Sequence, residues 1–292
     1  MRETLRGVDA ARLERSCSPR RDSIRVAQST PGLELADVFL RTCAYEPHRH
    51  DSYAIGVTLT GVQTFRYRGA RRICLPGRLH ILNPDETHDG AAGTEDGFGY
   101  RILYVAPELI REALDGPGLP FVDDPVPQPG RATHRLVPLL MQIDDPIGDL
   151  ARVDITTAIA DALRALSGRV GAPRSRIDTR SVELARDYLA AHACERAPSS
   201  KLEEITGVDR FTLARHFRRA FGTSPDRYRT MRRLALARQA IESNEPLAQV
   251  AARTGFADQS HLTRQFKRAY GLTPAKWAAV ATAATARAQR DR

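Results

Sequence analysis

The chain repeats itself. Residues Thr212–Pro225 (TLARHFRRAFGTSP) and His261–Pro274 (HLTRQFKRAYGLTP) share seven identities in fourteen positions at an offset of 49 residues. The identical pairs are Leu213/Leu262, Arg215/Arg264, Phe217/Phe266, Arg219/Arg268, Ala220/Ala269, Gly222/Gly271 and Pro225/Pro274, and Arg218/Lys267, Phe221/Tyr270 and Ser224/Thr273 are conservative. An internal repeat means one supersecondary unit used twice. In the second copy Leu262, Phe266 and Tyr270 recur every four residues and share one helical face. The other faces carry Gln259, His261, Thr263, Arg264, Lys267 and Arg268, a mixture suited to base edges and phosphates. Ahead of it LAQVAARTGF reads as a short helix ending at Gly255, a residue suited to a left-handed cap before a tight turn. The pattern predicts a helix-turn-helix, twice.

Charge follows the repeat. Residues 181–292 hold 20 Lys and Arg against 11 Asp and Glu, whereas residues 1–180 hold 24 of each. All excess positive charge therefore sits with the repeated units, the electrostatic footprint of a nucleic-acid-binding domain beside a neutral partner domain. A length of 292 residues fits two domains. Cys17, Cys43, Cys74 and Cys194 are scattered without a CxxC, which points to a reducing, cytoplasmic setting. No stretch approaches the roughly 20 apolar residues of a membrane span, and residues 1–17 lack the apolar core of a signal peptide.

Residues 1–30 are polar and basic and read as a loosely held arm. LELADVFLRTCAY, YAIGVTLTG, QTFRYRG, ARRICL, RLHILNP and GYRILYV then read as six short strands, the texture of a sandwich or barrel. Helices are expected at PELIREAL, 131–143 and 149–166, the last with a stripe of Leu150, Val153, Ile159, Leu163 and Leu166. SGRVGAPRSR has the composition of a linker. SVELARDYLAAHA opens the second domain, and PSSKLEEIT begins the first unit with Ser as cap. Ser224-Pro225 caps a helix over 226–243 that carries Tyr228, Met231, Leu234, Ala235 and Ile241 inward. At about 1.5 Å per residue it is a strut of about 27 Å, close to the ~34 Å between successive major grooves. After Trp277, AAVATAATARAQRDR offers nothing apolar larger than Val280, and its end is expected to be disordered.

Residues 181–277, and GFADQSHLTRQFKRAYGLTP above all, resemble the AraC family of bacterial transcription regulators. EPHRHDSYAIGVTLTG followed by LPGRLHILNPDETHDG is similar to the cupin-like sensor domain that precedes the DNA-binding domain in many of them. The resemblance implies two domains: an N-terminal all-β cupin-like barrel with trailing helices, and a C-terminal all-α double helix-turn-helix domain. The expected divisions are an arm (1–30), an effector-binding and dimerisation domain (31–166), a linker (167–180), a DNA-binding domain (181–280) and a disordered tail (281–292). The implied partners are a double-stranded DNA operator, a small-molecule effector, RNA polymerase and a second copy of the chain. The stripe on 149–166 is a candidate for core packing, for the dimer interface, or for both.

By the same resemblance Phe211, Ala214 and Arg215 in the first unit face bases, as do Gln259, Ser260, His261, Thr263 and Arg264 in the second. Arginine can donate twice to guanine, and glutamine can bond adenine twice. Arg218 also faces away from Leu213 and Phe217, while Thr212, Arg219, Lys267 and Arg268 are expected at phosphates. In the first domain His48 and His50 form an HxH motif, and Tyr53, His80 and His88 follow; together they are the candidate effector-binding residues. Metal-dependent cupins place a Glu four or five residues after the HxH. Ala54 and Ile55 stand there instead, so no metal or other cofactor is expected. The rival readings are a cupin metalloenzyme fused to a DNA-binding module, and an architectural DNA binder using wedge residues.

Overall fold

In the computed structural model of the protein, the described residues are 22–114, 118–143, 147–167, 178–195 and 198–288. Among them nine strands precede ten helices. The strands are β1 (Ser23–Thr30), β2 (Leu33–Leu40), β3 (Tyr45–His48), β4 (Tyr53–Gly61), β5 (Gln63–Tyr67), β6 (Ala70–Cys74), β7 (Leu79–Leu82), β8 (His88–Ala92) and β9 (Phe98–Val105). They form two antiparallel sheets, ordered β1-β2-β9-β4-β7 and β3-β8-β5-β6.

Three strands go beyond the six expected. β1 replaces the end of the expected arm: Pro31-Gly32 turns the chain so that Thr30 lies opposite Leu33 and SIRVAQST pairs along β2. The Asp22 carboxylate fastens its start by accepting from the main-chain N–H groups of Arg41, Thr42 and Cys43. β1 is too polar to read as a strand, and ladder hydrogen bonds do not depend on side chains. β3 and β8 are short and carry the polar sequences YEPH and HDGAA, so they too lack an apolar pattern. Residues 1–21 of the expected arm lie outside the described residues.

Alternation along the larger sheet separates two cores. Leu33, Leu35, Ile55, Val57, Leu103 and Val105 face outward against α1 (Pro107–Ala113), α2 (Arg131–Met141) and α3 (Asp149–Leu166). Ala36, Val38, Ala54, Tyr100 and Ile102 face the space between the sheets. The side chain of Leu150 lies outside the described residues, and the rest of the stripe expected on α3 needs one correction. Ile159 and Leu163 are fully buried, but Val153 is 57% exposed and Ile155 takes its place. Val153 stands six positions before Ile159, which at about 3.6 residues per turn carries it to another face.

The second domain comprises α4 (Thr179–Ala191), α5 (Ser199–Thr206), α6 (Arg210–Phe221), α7 (Pro225–Glu242), α8 (Leu247–Arg253), α9 (Gln259–Tyr270) and α10 (Pro274–Ala288). The two units are α5–α6 and α8–α9, joined by the strut α7. Ser224 caps α7 by accepting from the Arg227 N–H at 3.2 Å with Pro225 in its first turn, as the sequence predicts. Gly255 has φ +77°, the left-handed conformation its position requires.

Smaller expectations have mixed outcomes. Pro198, not a serine, occupies the N-cap of α5 and makes no side-chain bond, because Ser199 is already inside the helix. Residues 168–177 of the expected linker lie outside the described residues, and α4 already begins at Thr179 with Asp178 as its cap. The tail expected to be disordered continues as helix to Ala288, since alanine favours helix and Ala281 packs on the core; residues 289–292 lie outside the described residues.

The first unit has its own core of Val182, Leu189, Leu202, Leu213, Phe217 and Phe221. The second does not. Leu262, Phe266, Leu272 and Trp277 share one continuous core with Ile24, Val38, Tyr100 and Ile102 of the sheets. Thus α7, α9 and α10 close the open end of the β domain.

Candidate functional site

Main-chain and ionic contacts hold this closure. The Glu46 N–H donates to the Gly271 carbonyl at 3.0 Å, and the Arg49 N–H donates to the Arg268 carbonyl at 3.1 Å. Arg238 on α7 grips both carboxylate oxygens of Glu34 on β2, with Nη1–Oε1 at 2.7 Å. Arg232, one turn and a half earlier, donates to Asp51 at 2.9 Å. Bidentate guanidinium–carboxylate pairs are strong because two parallel charged hydrogen bonds form in one plane. The first unit and the helix α4 packed with it rest more lightly, through Arg111 on Glu183 of α4 at 3.2 Å and Gly222 beside Pro84.

The two glycines at the ends of α6 and α9 are equivalent in the repeat and in use. Both have φ +71° and end their helices as left-handed caps. A Cβ on Gly222 would stand 3.0 Å from Pro84; one on Gly271 would stand 2.8 Å from His48 Nδ1. Each repeat therefore presents its cap to the β domain.

Behind the closure lies a cavity of about 260 Å³ with walls from both domains. His48, His50, His80 and His88 line it from the sheets, and Tyr228, Arg232, Arg238, Tyr270 and Trp277 line it from the helices. β3 and β8 pair with His48 directly opposite His88. Their ring centroids are 4.2 Å apart, and His50 lies 4.8 Å from His88. His80 sits deeper on β7, opposite Gly56 on β4. A Cβ on Gly56 would approach the His80 ring to 2.3 Å, so this ring can lie flat across β4 only over glycine.

Four of the five candidate effector residues thus meet, and Tyr53 does not. It faces the helix-covered side of the sheet and donates its hydroxyl to the Pro120 carbonyl at 2.6 Å. Strand alternation decides this, because β4 turns Ala54 rather than Tyr53 inward. The sequence reading missed Tyr45, Tyr100 and Tyr104. The last two alternate with Ile102 along β9, a period-two signal already present in GYRILYV.

Burial keeps all four imidazoles neutral. It depresses His50 and His80 to about 3 and His88 to about 4, and His48 falls well below the ordinary value, with His88 and His50 beside it adding to the effect. Burial likewise raises the Tyr45 and Tyr270 hydroxyls to about 12. Among the described residues no three His, Cys, Asp or Glu side chains are placed to share a metal ion.

The expected reading faces stand away from the β domain. Asp209 caps α6 by accepting from the Phe211 and Thr212 N–H groups, and Asp258 caps α9 by accepting from the His261 N–H. This extends the repeat to another equivalent pair. Phe211 is 71% exposed. Arg215 and Arg218 are exposed on α6, where Thr212, Ala214 and Arg219 are half-buried; the Arg215 guanidinium donates to Thr212 Oγ1 at 2.6 Å. On α9, Gln259, Ser260, Arg264 and Arg268 are exposed, and His261 and Thr263 half-buried. Lys267 differs from the expected phosphate contact. Its Nζ lies 2.6 Å from Glu46 Oε2 on β3.

Comparison with known proteins agrees with this architecture. Residues 30–170 match the family described as AraC-like ligand binding domain, and residues 202–279 match the helix-turn-helix domain family. The chain is 28% identical over 220 residues, 74% of its length and 80% of the relative's, to the uncharacterised HTH-type transcriptional regulator YbfI of Bacillus subtilis (strain 168). Its fold is similar to that of ToxT from Vibrio cholerae at 1.65 Å resolution, with a TM-score of 0.63 and 10% identity over 86% of this chain and 99% of that one. It is also similar to wild-type ToxT with an unsaturated fatty acid bound, with a TM-score of 0.61 and 9% identity over 88% and 98% of the respective chains. Among the described residues no helix is long and apolar enough to cross a membrane. The chain belongs to the AraC family: it is a transcription regulator that joins an AraC-like ligand binding domain to a helix-turn-helix DNA-binding domain.

Proposed function

We propose that a small molecule entering the cavity sets how firmly the second helix-turn-helix unit is held, and thereby how the chain reads its operator. One observation carries this reading: the cavity has His48, His50 and His88 on one wall and the strut α7 with Tyr270 and Trp277 on the other. A ligand there touches both domains at once, so its binding energy differs between docked and undocked arrangements, which is what a shift of populations requires. A short covalent and hydrogen-bonded path joins ligand wall to reading helix. His48 Nδ1–H donates to the Glu46 carbonyl, and the Glu46 N–H donates to the cap of α9.

In this reading Phe211, Ala214, Arg215 and Arg218 face one major groove, and Gln259, Ser260, His261, Thr263 and Arg264 face the next. Thr212, Arg219 and Arg268 meet phosphates, and Lys267 joins them on leaving Glu46. The domain boundaries near residues 30, 166 and 181, pairing of two chains and contact with RNA polymerase belong to the same proposal. The fatty acid of ToxT does not carry over. A carboxylate needs a free cation, and both arginines of this cavity already hold Glu34 and Asp51.

Selection of bound sequences from a random DNA pool with the full chain tests the reading. The expected outcome is a recurrent site with two elements about one helical turn apart. Recovery of sequences without a common element would sink it.

A further inference from the structure

The cavity is richer in one kind of hydrogen-bonding atom than its residue types imply. His48, His50 and His88 each bring Nδ1 to a main-chain carbonyl: that of Glu46 at 2.8 Å, Ser52 at 2.8 Å and Glu86 at 3.0 Å. A carbonyl oxygen only accepts, so Nδ1 carries the hydrogen in all three rings. A neutral imidazole has one N–H. Each Nε2 is therefore a lone pair, and among the described residues no hydrogen bond reaches any of the three. Three acceptors gather on rings whose centroids are 4.2, 4.8 and 6.3 Å apart. All three side chains are buried, at 9%, 7% and 5% exposure.

Such a cluster rejects most ligand classes. A carboxylate or phosphate would set its oxygens against three lone pairs, and the charges of Arg232 and Arg238 are already matched by Asp51 and Glu34, although the Nε atom of each guanidinium has no hydrogen-bond partner among the described residues. An ammonium would suit the lone pairs. However, a charge taken from water into this site needs a counter-charge, and the acids of those two pairs are neutralised. Glu108 and Asp89 also line the cavity, but burial pushes the Glu108 carboxyl towards the neutral form, and Asp89 accepts from the Arg66 main-chain N–H at 2.5 Å. An uncharged donor meets none of these objections. Phe65, Tyr104, Tyr270 and Trp277 give the wall flat aromatic faces, beside polar side chains such as Ser52 and Gln63.

We propose that the cavity takes an uncharged compact ring bearing adjacent hydroxyl groups, which donate to Nε2 of His48, His50 and His88 while the ring lies against the aromatic wall. This rests on the effector-cavity reading above and assigns its ligand class. Adjacent hydroxyls occur on saturated rings and on aromatic ones, and the probes separate the two sources. The aromatic wall suits both, by stacking with an aromatic ring or by contact with the C–H face of a saturated one.

The test is calorimetric titration of the full chain with catechol, cis-1,2-cyclohexanediol and myo-inositol, with veratrole (the dimethyl ether of catechol), benzoate, benzylamine and zinc chloride as contrasts. A hydroxylated probe is expected to bind saturably, and its counterpart without O–H groups to bind at least about tenfold more weakly, the loss expected for one or two unmade hydrogen bonds. His88→Leu should weaken the hydroxylated probe by a similar factor while circular dichroism shows an unchanged fold. The methylated probe reads the same interaction on unaltered protein should that variant fail to fold. Equal binding of veratrole and catechol overturns the proposal. So does preferential binding of benzoate, benzylamine or zinc, and so does the absence of binding by every hydroxylated probe at millimolar concentration. Binding of one of those contrasts with loss in His88→Leu leaves the effector cavity in place and removes only its ligand class. Selection of an operator proceeds without ligand, so the DNA-reading proposal stands or falls separately.

Discussion

Glu46 holds Gly271: its main-chain N–H donates at 3.0 Å to the carbonyl of the glycine that ends the second reading helix. Its side chain reaches further along the same helix to Lys267 at 2.6 Å. One residue of a short edge strand thus binds a helix end by main chain and a candidate phosphate contact by charge.

Releasing that charge is expected to favour DNA. Both partners are more than a third exposed, so the ion pair itself is worth at most about 1 kcal/mol. Glu46→Gln should raise affinity for duplex DNA by up to that amount, and the gain should vanish in a Lys267→Ala background. Fluorescence anisotropy on the four proteins of this cycle measures it. A gain that persists without Lys267 assigns the effect to general charge instead.

Gly271→Ala tests the docking. A left-handed residue with a Cβ costs about 1–2 kcal/mol at any helix cap. At Gly207, with φ +67° and open space around it, that is the whole expected effect. At Gly271 the added carbon also meets His48 and Tyr45 at 2.8 and 3.0 Å. Its denaturant midpoint should show a loss exceeding that of Gly207→Ala by about 1–3 kcal/mol, the range of overpacking. Equal losses would mean that the cap moves freely away from β3.

Arg215→Ala and Arg264→Ala should each cost about 1–3 kcal/mol of specific binding and relax sequence preference in one half of the selected site only. Their identical place on two equivalent helices motivates this. If either variant loses as much on random duplex as on the selected site, that arginine is a phosphate clamp.

The buried imidazoles predict acid sensitivity of a definite sign. His50, His80 and His88 stay neutral in the folded chain down to about pH 4 or below, and His48 is held well below its ordinary value, whereas in the unfolded chain all four take up protons near pH 6.5. Between these values the unfolded state binds more protons, so stability falls as pH falls. At pH 5.5 the loss is about 1.4 kcal/mol for each of His50, His80 and His88 relative to pH 8, and His48 adds to it in the same direction. Urea denaturation at the two pH values measures it, and His80→Phe should make the slope shallower. A stability independent of pH between 8 and 5.5 would contradict neutral burial.

The repeat, the strut and the excess charge were legible in the sequence because helical periodicity is local. Leu262 and Phe266 lie on one face whatever surrounds them, and Ser224-Pro225 starts a helix through its own hydroxyl and ring. β1 was not legible, since Ile24 is the one buried apolar side chain of SIRVAQST and main-chain pairing with β2 holds the rest. Tyr53 was misplaced for a related reason: only the register of β4 against β7 and β9 decides whether it or Ala54 turns inward. The cavity is beyond any local signal, because its walls join Glu34 to Arg238 across 204 residues of chain. The histidines could be named as candidates from composition and spacing. Their neutrality and their shared role as acceptors come only from burial, and burial is the sum of everything the second domain packs over them.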